Sequence, residues 1–111
     1  MKPVWVRLAA LGLATILLTA AYKRAEQSSV MADAAQHFLD SLWADQKAKA
    51  TYAFDDDERF DWHYIPKLRK GLSFGEMQPF QRELATALLA AGLSQQGLIK
   101  AETIMSLDPA A

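Results

Sequence analysis

Asp61 and His63 are the side chains in this sequence best placed to do chemistry together. In an extended segment, residues two apart project from the same side, with their backbones roughly 7 Å apart. A carboxylate beside an imidazole can orient the ring as a base or share a metal ion with it. The alternative is a structural hydrogen bond that fixes the turn before Pro66. Because two residues do not complete a ligand set, the pair is a candidate catalytic or metal site and no more.

A run of four carboxylates, Asp55 to Glu58, lies just before that pair. Asp55 and Asp57 are candidate oxygen ligands for a hard cation. The run does not match an EF-hand loop, which needs glycine at its sixth position and glutamate at its twelfth; Phe60 and Pro66 stand there. The alternative is a solvated loop that is partly neutralised by the basic cluster after it: Lys67, Arg69 and Lys70.

Composition excludes several other kinds of site. The sequence has no cysteine, which rules out a disulfide framework, a cysteine-ligated zinc and a thiol nucleophile. A net charge of -1 argues against nucleic-acid binding, which needs a surplus of basic side chains for phosphate contacts. The sequence also lacks a glycine-rich phosphate loop, a nucleophile elbow and an HExxH motif. His37 lies on the polar face of a predicted helix, where we expect an ordinary exposed residue.

Residues 1–21 have the composition of an export signal. Lys2 and Arg7 are their only charges, and Leu8 to Ala21 contains nothing ionisable. A spanning helix needs about 20 apolar residues, so this shorter run predicts a cleaved signal with Tyr22 as the new N-terminus. The alternative is an uncleaved inner-membrane anchor, lengthened if Arg7 reaches the headgroups. We therefore expect export to the periplasm or the medium, with the export machinery as a partner and membrane contact only if the signal stays uncleaved.

The rest of the chain is predicted to be mainly helical. Without residues 1–21 it keeps ten basic and 13 acidic side chains, a net charge of -3. Residues 22–29 are polar and predict a linker. Residues 30–111 predict a domain of about four helices, with a bend near Trp43 and no internal repeat. Suitable capping and stop residues mark the predicted helix ends: Ser28 or Ser29, Pro79, Gly92, Ser94, Asp108 and Pro109.

One extended acidic and aromatic segment interrupts the predicted helices. Phe60, Trp62 and Tyr64 alternate with other residues at the period of a strand. Aromatic side chains on one side of such a segment usually fill a core, and this is what we expect here; a ligand groove is the alternative. Gly71 marks the turn that follows.

Two sequence runs in this segment and near the C-terminus resemble a known family. FDDDERFDWHYIP (Phe54 to Pro66) and GLSQQGLIKAETIMSL (Gly92 to Leu107) are similar to the N-terminal part of domain of unknown function 3500, a family of uncharacterised exported bacterial proteins. The likeness covers about residues 33–107. Gln78 departs from it, standing where a threonine is typical, and Leu68 stands where the family tends to be charged.

The resemblance also bears on function. Family members look several times longer than this chain, with histidine-rich stretches further on that would be suspected of holding a divalent metal. The resemblance therefore implies a truncated N-terminal portion. Two functions are consistent with it: part of a metal-dependent enzyme, to which Asp61 and His63 contribute, or a non-catalytic helical scaffold or interaction module.

Overall fold

A computed structural model describes residues 3–107, and that range contains four α-helices. They are α1 (Val4–Ser41), α2 (Ala44–Ala50), α3 (Pro79–Gly92) and α4 (Gln95–Met105). Two short 3-10 turns, Asp57–Phe60 and Phe74–Glu76, lie between α2 and α3. The described residues contain no strand. The mainly helical class is confirmed, as are the long apolar N-terminal helix and the bend near Trp43.

α1 continues without a break from the apolar N-terminal residues into polar ones. Its 38 residues correspond to a length of about 57 Å. Residues 22–29, which predict a linker, are helical here, and the Ser29 hydroxyl donates to the Glu26 carbonyl at 2.8 Å. The prediction that a helix begins at Ser28 or Ser29 is therefore wrong. Alanine and the long polar side chains of this stretch favour helix, and extending an existing helix is easier than starting a new one.

The C-terminal part of α1 packs against α3. We call these two packed helices, together with the start of α2, the base. α3 begins beside the end of α1, where Gln81 Nε2 donates to the Ser41 carbonyl at 2.8 Å. It ends near Met31, whose Cε lies 3.4 Å from where a Cβ on Gly92 would stand. The two helices are therefore antiparallel. The half-buried side chains on the facing surfaces are mostly apolar: Ala34, Ala35, Phe38, Leu39, Leu84 and Leu88.

The local signals for α3 and α4 are mostly confirmed. Pro79 is the first residue of α3, and Ser94 Oγ accepts the Gly97 N–H at 3.1 Å at the start of α4. Ile104 is 68% exposed, because it lies about 100° around the helix from the half-buried Met105. The predicted stop at Asp108 and Pro109 lies outside the described residues.

Gly71 and Gly92, which were predicted to mark a turn and a helix end, behave differently from one another. Gly71 has a φ of 110°, which confirms the predicted turn because this backbone conformation favours glycine. Gly92 was predicted to cap α3 in a left-handed conformation, but it is the last helical residue, and its φ is not positive. A Cβ at this position would lie at ordinary contact distance, 3.4 Å, from Met31 Cε.

The aromatic side chains before Pro66 do not fill a core. Phe60 ends a 3-10 turn, and Trp62 and Tyr64 lie in irregular backbone, 88% and 97% exposed. The predicted loop segment between the helices is confirmed, although its backbone does not form a strand, and the predicted core packing of its aromatic side chains is wrong. A strand needs a neighbour for its backbone N–H and C=O groups, and the described residues offer no other strand to pair with.

Burial in the described residues is concentrated at one place. Four of their side chains are buried: Leu42, Gln46, Met77 and Gln81. They come from the turn between α1 and α2 and from the turn that leads into α3. Two of the four are glutamines, a residue type that is usually exposed.

Candidate functional site

Asp61 is the centre of a polar cluster on the segment between α2 and α3. Its two carboxylate oxygens accept from Lys67 Nζ at 2.7 and 2.8 Å. Its Oδ1 also lies 3.1 Å from Nε2 of His63. The expected closeness of Asp61 and His63 is therefore present in the structure. Lys67, expected only as part of a general neutralising cluster, is the third member.

Tight turns, and not strand geometry, bring the cluster together. The Asp56 carboxylate accepts the Glu58 N–H at 2.8 Å and so starts the 3-10 turn. The Asp61 N–H then donates to the Glu58 carbonyl at 3.0 Å, and the Trp62 N–H donates to the Phe60 carbonyl at 2.8 Å. The acidic run thus serves as a helix cap at its second position, Asp56.

The electrostatics of the cluster favour an ionised carboxylate. The Lys67 ammonium, hydrogen-bonded to Asp61, holds the pKa of that carboxyl below its ordinary value, and the nearby charges of His63 and Lys70 act in the same direction. The side chains of Asp61 and His63 are 33% and 50% exposed, so water screens the pair. The arrangement places an imidazole beside a carboxylate but does not isolate the pair from solvent.

The four candidate metal ligands do not gather around one point. Among residues 3–107, no group of three or more histidine, aspartate or glutamate side chains is close enough to hold a metal ion. Lys67 occupies both oxygens of Asp61, and its positive charge competes with any cation there. Asp55 and Asp57 are exposed on the turn before the cluster. The described residues alone do not make a metal site.

Two further charged side chains brace the same segment. Lys70 Nζ donates to a Glu58 carboxylate oxygen at 2.7 Å. The Arg59 guanidinium stands 5.2 Å from the Phe54 ring centre and 4.8 Å from that of Phe60, within cation–π range. It also donates to the Phe54 carbonyl at 2.9 Å. Of the three basic residues expected to neutralise the acidic run, Lys70 alone pairs with it; Lys67 pairs with Asp61, and Arg69 donates to the Ile65 carbonyl at 2.9 Å.

Large apolar side chains stand exposed around this polar cluster. We call residues 52–68 the aromatic segment. Seven of its apolar side chains are between 45% and 98% exposed: Tyr52, Phe54, Phe60, Trp62, Tyr64, Ile65 and Leu68. Such a concentration of exposed apolar side chains is unusual on the surface of a monomer.

Sequence analysis missed Gln46 and Gln81, which are the most strongly enclosed polar residues among those described. Each stands three residues after a helix N-cap, Trp43 for α2 and Gln78 for α3. Glutamine at that spacing is half of a capping-box pattern, and this signal was available in the sequence.

The sequence profile of the family described as Protein of unknown function (DUF3500) matches residues 24–110. The chain belongs to this family. The match starts in the polar half of α1 and includes the Asp61 cluster, both buried glutamines and α4. The part that is shared with DUF3500 therefore begins just after the apolar stretch. No curated protein and no solved structure matches the chain.

Proposed function

We propose that this DUF3500 chain is an exported helical interaction module that presents the aromatic segment to a partner protein. The observation that carries the proposal is the exposure of the segment, with Trp62 at 88% and Tyr64 at 97%. Aromatic residues dominate the energetic centres of protein interfaces. An exposed tryptophan and tyrosine two residues apart supply that kind of anchor.

The total solvent-accessible surface area of the chain is larger than that of a compact monomer of the same mass. The chain exposes 9325 Å², whereas a compact monomer of 12.3 kDa exposes about 6,100 Å². The apolar start of α1 accounts for part of the surplus, since its residues 7–30 are all exposed. The aromatic segment accounts for another part. Both surfaces suit a chain that works against a membrane, a translocation channel or another protein.

Export is supported by the N-terminal half of α1. The helix contains an 18-residue window with a mean hydropathy of 1.9, none of it buried, and is long and apolar enough to cross a membrane. The half-buried residues that face α3 begin at Ala34, so a cut after Ala21 would leave the base intact. We propose a periplasmic or secreted product after such a cut. An uncleaved helix would instead hold the module at the inner membrane.

The site of cleavage can be measured directly. Mass spectrometry of the exported fraction should find a chain that begins near Tyr22. Recovery of the whole chain from Met1 in the membrane fraction would show that the apolar helix stays uncleaved as an anchor. Recovery of the whole chain in the cytoplasm would overturn export.

The aromatic segment is tested with a photo-crosslinking residue placed at Trp62 or Tyr64 in the cells that produce the protein. Both positions should yield one and the same cross-linked protein. Leu107, which is 77% exposed and lies outside the segment, is the matched control and should not give that product. If Trp62 and Tyr64 give no discrete product, or only the products seen from Leu107, the interaction proposal fails.

A second candidate function rests on the 3.1 Å contact between Asp61 and His63. In this alternative, Asp61 orients His63 as a base or ligand in an enzyme site that other groups of the protein complete. A divalent metal there remains a prediction from the family resemblance. His63→Ala in the full-length protein should lower bound metal, measured by elemental analysis, without changing the melting temperature. Unchanged metal content, or a collapse in stability, would exclude this role.

A further inference from the structure

Gln46 of α2 and Gln81 of α3 face each other inside the base, 4% and 0% exposed. Gln46 Nε2 donates to Gln81 Oε1 at 3.1 Å, and Gln81 Nε2 donates to Gln46 Oε1 at 2.8 Å. The two side-chain amides therefore form a reciprocal pair. Amide groups this deeply buried are costly unless every donor and acceptor has a partner.

Each amide uses its second N–H to hold the backbone of the opposite turn. Gln46 Nε2 donates to the Glu76 carbonyl, just before α3, at 2.8 Å. Gln81 Nε2 donates to the Ser41 carbonyl, at the end of α1, at 2.8 Å. Each glutamine thus joins its own helix to the turn that precedes the other helix.

Each amide oxygen also accepts the backbone N–H that begins its own helix. The Trp43 N–H donates to Gln46 Oε1 at 3.0 Å, and the Gln78 N–H donates to Gln81 Oε1 at 2.8 Å. Every donor of the two amides is now paired, and each oxygen accepts two hydrogen bonds. No buried side-chain nitrogen or oxygen in the described residues lacks a partner.

The two turns are related by a local two-fold symmetry, with equivalent residues 35 positions apart. The Leu42 N–H donates to the Leu39 carbonyl at 3.3 Å, and the Met77 N–H donates to the Phe74 carbonyl at 3.1 Å. Leu42 and Met77 are also the two buried apolar residues within residues 3–107. Residues 39–46 (LDSLWADQ) and 74–81 (FGEMQPFQ) have only the final glutamine in common, so sequence comparison shows no repeat.

We propose that this pair, the glutamine clasp (Gln46 and Gln81), is a conformational device. It closes the chain between the two glutamines into a loop and fixes the two ends of that loop. The large side chains of the aromatic segment are exposed and do not pack the loop onto the helices. The clasp therefore holds the two ends of the loop together. Loss of either glutamine releases the two ends of the loop from one another. The proposal does not depend on the segment binding a partner.

The closed clasp has a direct signature in the unmodified chain. Both side-chain N–H groups of Gln46 and of Gln81 should exchange with solvent at least about 100-fold more slowly than those of exposed glutamines, measured by NMR in detergent. The five internal controls are the exposed glutamines of the same chain: Gln27, Gln36, Gln78, Gln95 and Gln96. Exchange of the two buried amides at the control rate would show that the clasp is open.

Gln81→Glu tests whether the clasp needs a donor at that position. A carboxylate there would set an oxygen against the acceptors Ser41 O and Gln46 Oε1, both 2.8 Å from the amide nitrogen it replaces. The introduced carboxyl must therefore be protonated to fit, which raises its pKa. The variant should melt at least about 10 °C below the parent at pH 8, and the gap should narrow as the pH falls towards 4.

Gln95→Glu is the matched control, because Gln95 is exposed in the first turn of α4. A negative charge there favours the helix N-terminus, so its melting temperature relative to the parent should not rise as the pH falls. By the two-fold relation, Gln46→Glu should behave like Gln81→Glu. A pH-independent gap in both clasp variants would overturn the proposal.

Hydrogen exchange distinguishes release of the loop from general unfolding. In Gln46→Met, which removes the amide but keeps a side chain of similar size, the backbone N–H groups of Trp43 and Gln78 should lose protection. The N–H groups of Leu88 and Leu89, inside α3, should keep theirs. Equal loss at all four positions, or no loss at Trp43 and Gln78, would contradict the device.

Discussion

The base around Gln46 and Gln81 and the aromatic segment hold their polar groups in opposite ways. In the base the polar groups are neutral, enclosed and fully paired, and the apolar side chains beside them are buried. In the segment the paired groups are charged and partly exposed, as in Asp61 with Lys67 and Glu58 with Lys70. The large apolar side chains of the segment face solvent.

This difference separates the part of the molecule that stabilises the fold from the part that we propose binds a partner. Leaving a buried amide without a hydrogen-bond partner costs the full free energy of its desolvation. Removal of one partner should therefore strongly destabilise the base. Ion pairs in water contribute little and weaken with salt, so the segment is shaped only loosely by its charges. A stable base can therefore carry a segment that adjusts to a partner. The expected effects of mutation follow the same order.

The largest effect is expected for Gln81→Ala. It leaves the Ser41 carbonyl, the Gln78 N–H and the Gln46 amide without their partner inside the base. We expect a loss of about 3 kcal/mol and a melting temperature lower by about 10 °C or more. Gln96→Ala is the control, because Gln96 is an exposed glutamine of α4. Equal melting temperatures for the two variants would show that the base does not depend on the amide.

Substituting alanine at Gly92 and at Gly71 should change the free energy of unfolding in opposite directions. Gly92→Ala should add about 0.5–1 kcal/mol, since Gly92 is helical and a Cβ there meets only the flexible end of Met31, 3.4 Å away. Gly71→Ala should cost about 1 kcal/mol, because a φ of 110° strains any side chain. Thermal unfolding of both variants measures the difference. A loss at Gly92 would mean that α1 and α3 lie too close for a methyl group.

Asp61→Asn should barely change stability while changing the segment itself. The melting temperature should stay within about 2 °C of the parent, because the ion pair with Lys67 is exposed to solvent. Trypsin should cut faster after Lys67, whose ammonium loses its partner, and at an unchanged rate after Lys100. A fall in melting temperature as large as that of Gln81→Ala would place Asp61 in the base after all.

The smallest effect concerns Glu76 and pH. Hydrogen bonds from Lys49 and then from Ser73 lower the pKa of the Glu76 carboxyl to about 2. A lowered pKa gives stability that is present above the ordinary value near 4.5 and is lost as the pH falls through 2. The melting-temperature difference between the parent and Glu76→Gln should therefore shrink between pH 5 and pH 2. A difference that stays constant over that range would rule out this ion pair.

Signals that act within one helical turn were predictable from the sequence. Pro79 and Ser94 mark helix starts because their effects are confined to their own first turn. The closeness of Asp61 and His63 was also predictable, although the backbone that produces it is a turn. By contrast, the alternation of Phe60, Trp62 and Tyr64 was misleading, since a strand also needs a neighbour that the sequence pattern does not supply.

The clasp illustrates why long-range contacts were missed. Glutamine is a polar residue that usually lies on the surface, and its type alone predicts exposure. Gln46 and Gln81 are 35 residues apart, and their burial depends on two turns meeting in space. Lys67 was missed as a specific partner for a related reason, since three basic residues compete for several carboxylates within a few positions.

Because α1 is one continuous helix, the number of residues along it determines which way the folded part faces relative to the apolar N-terminal end. Each residue inserted between Ala21 and Met31 would rotate everything beyond it by about 100° and advance it by about 1.5 Å, without altering any contact in the base. One extra residue would swing the aromatic segment towards another side of the helix axis. Seven extra residues would return it almost to its first bearing, about 10 Å further out. Wherever the apolar end is held, a partner's access to the segment should vary with the period of the helix.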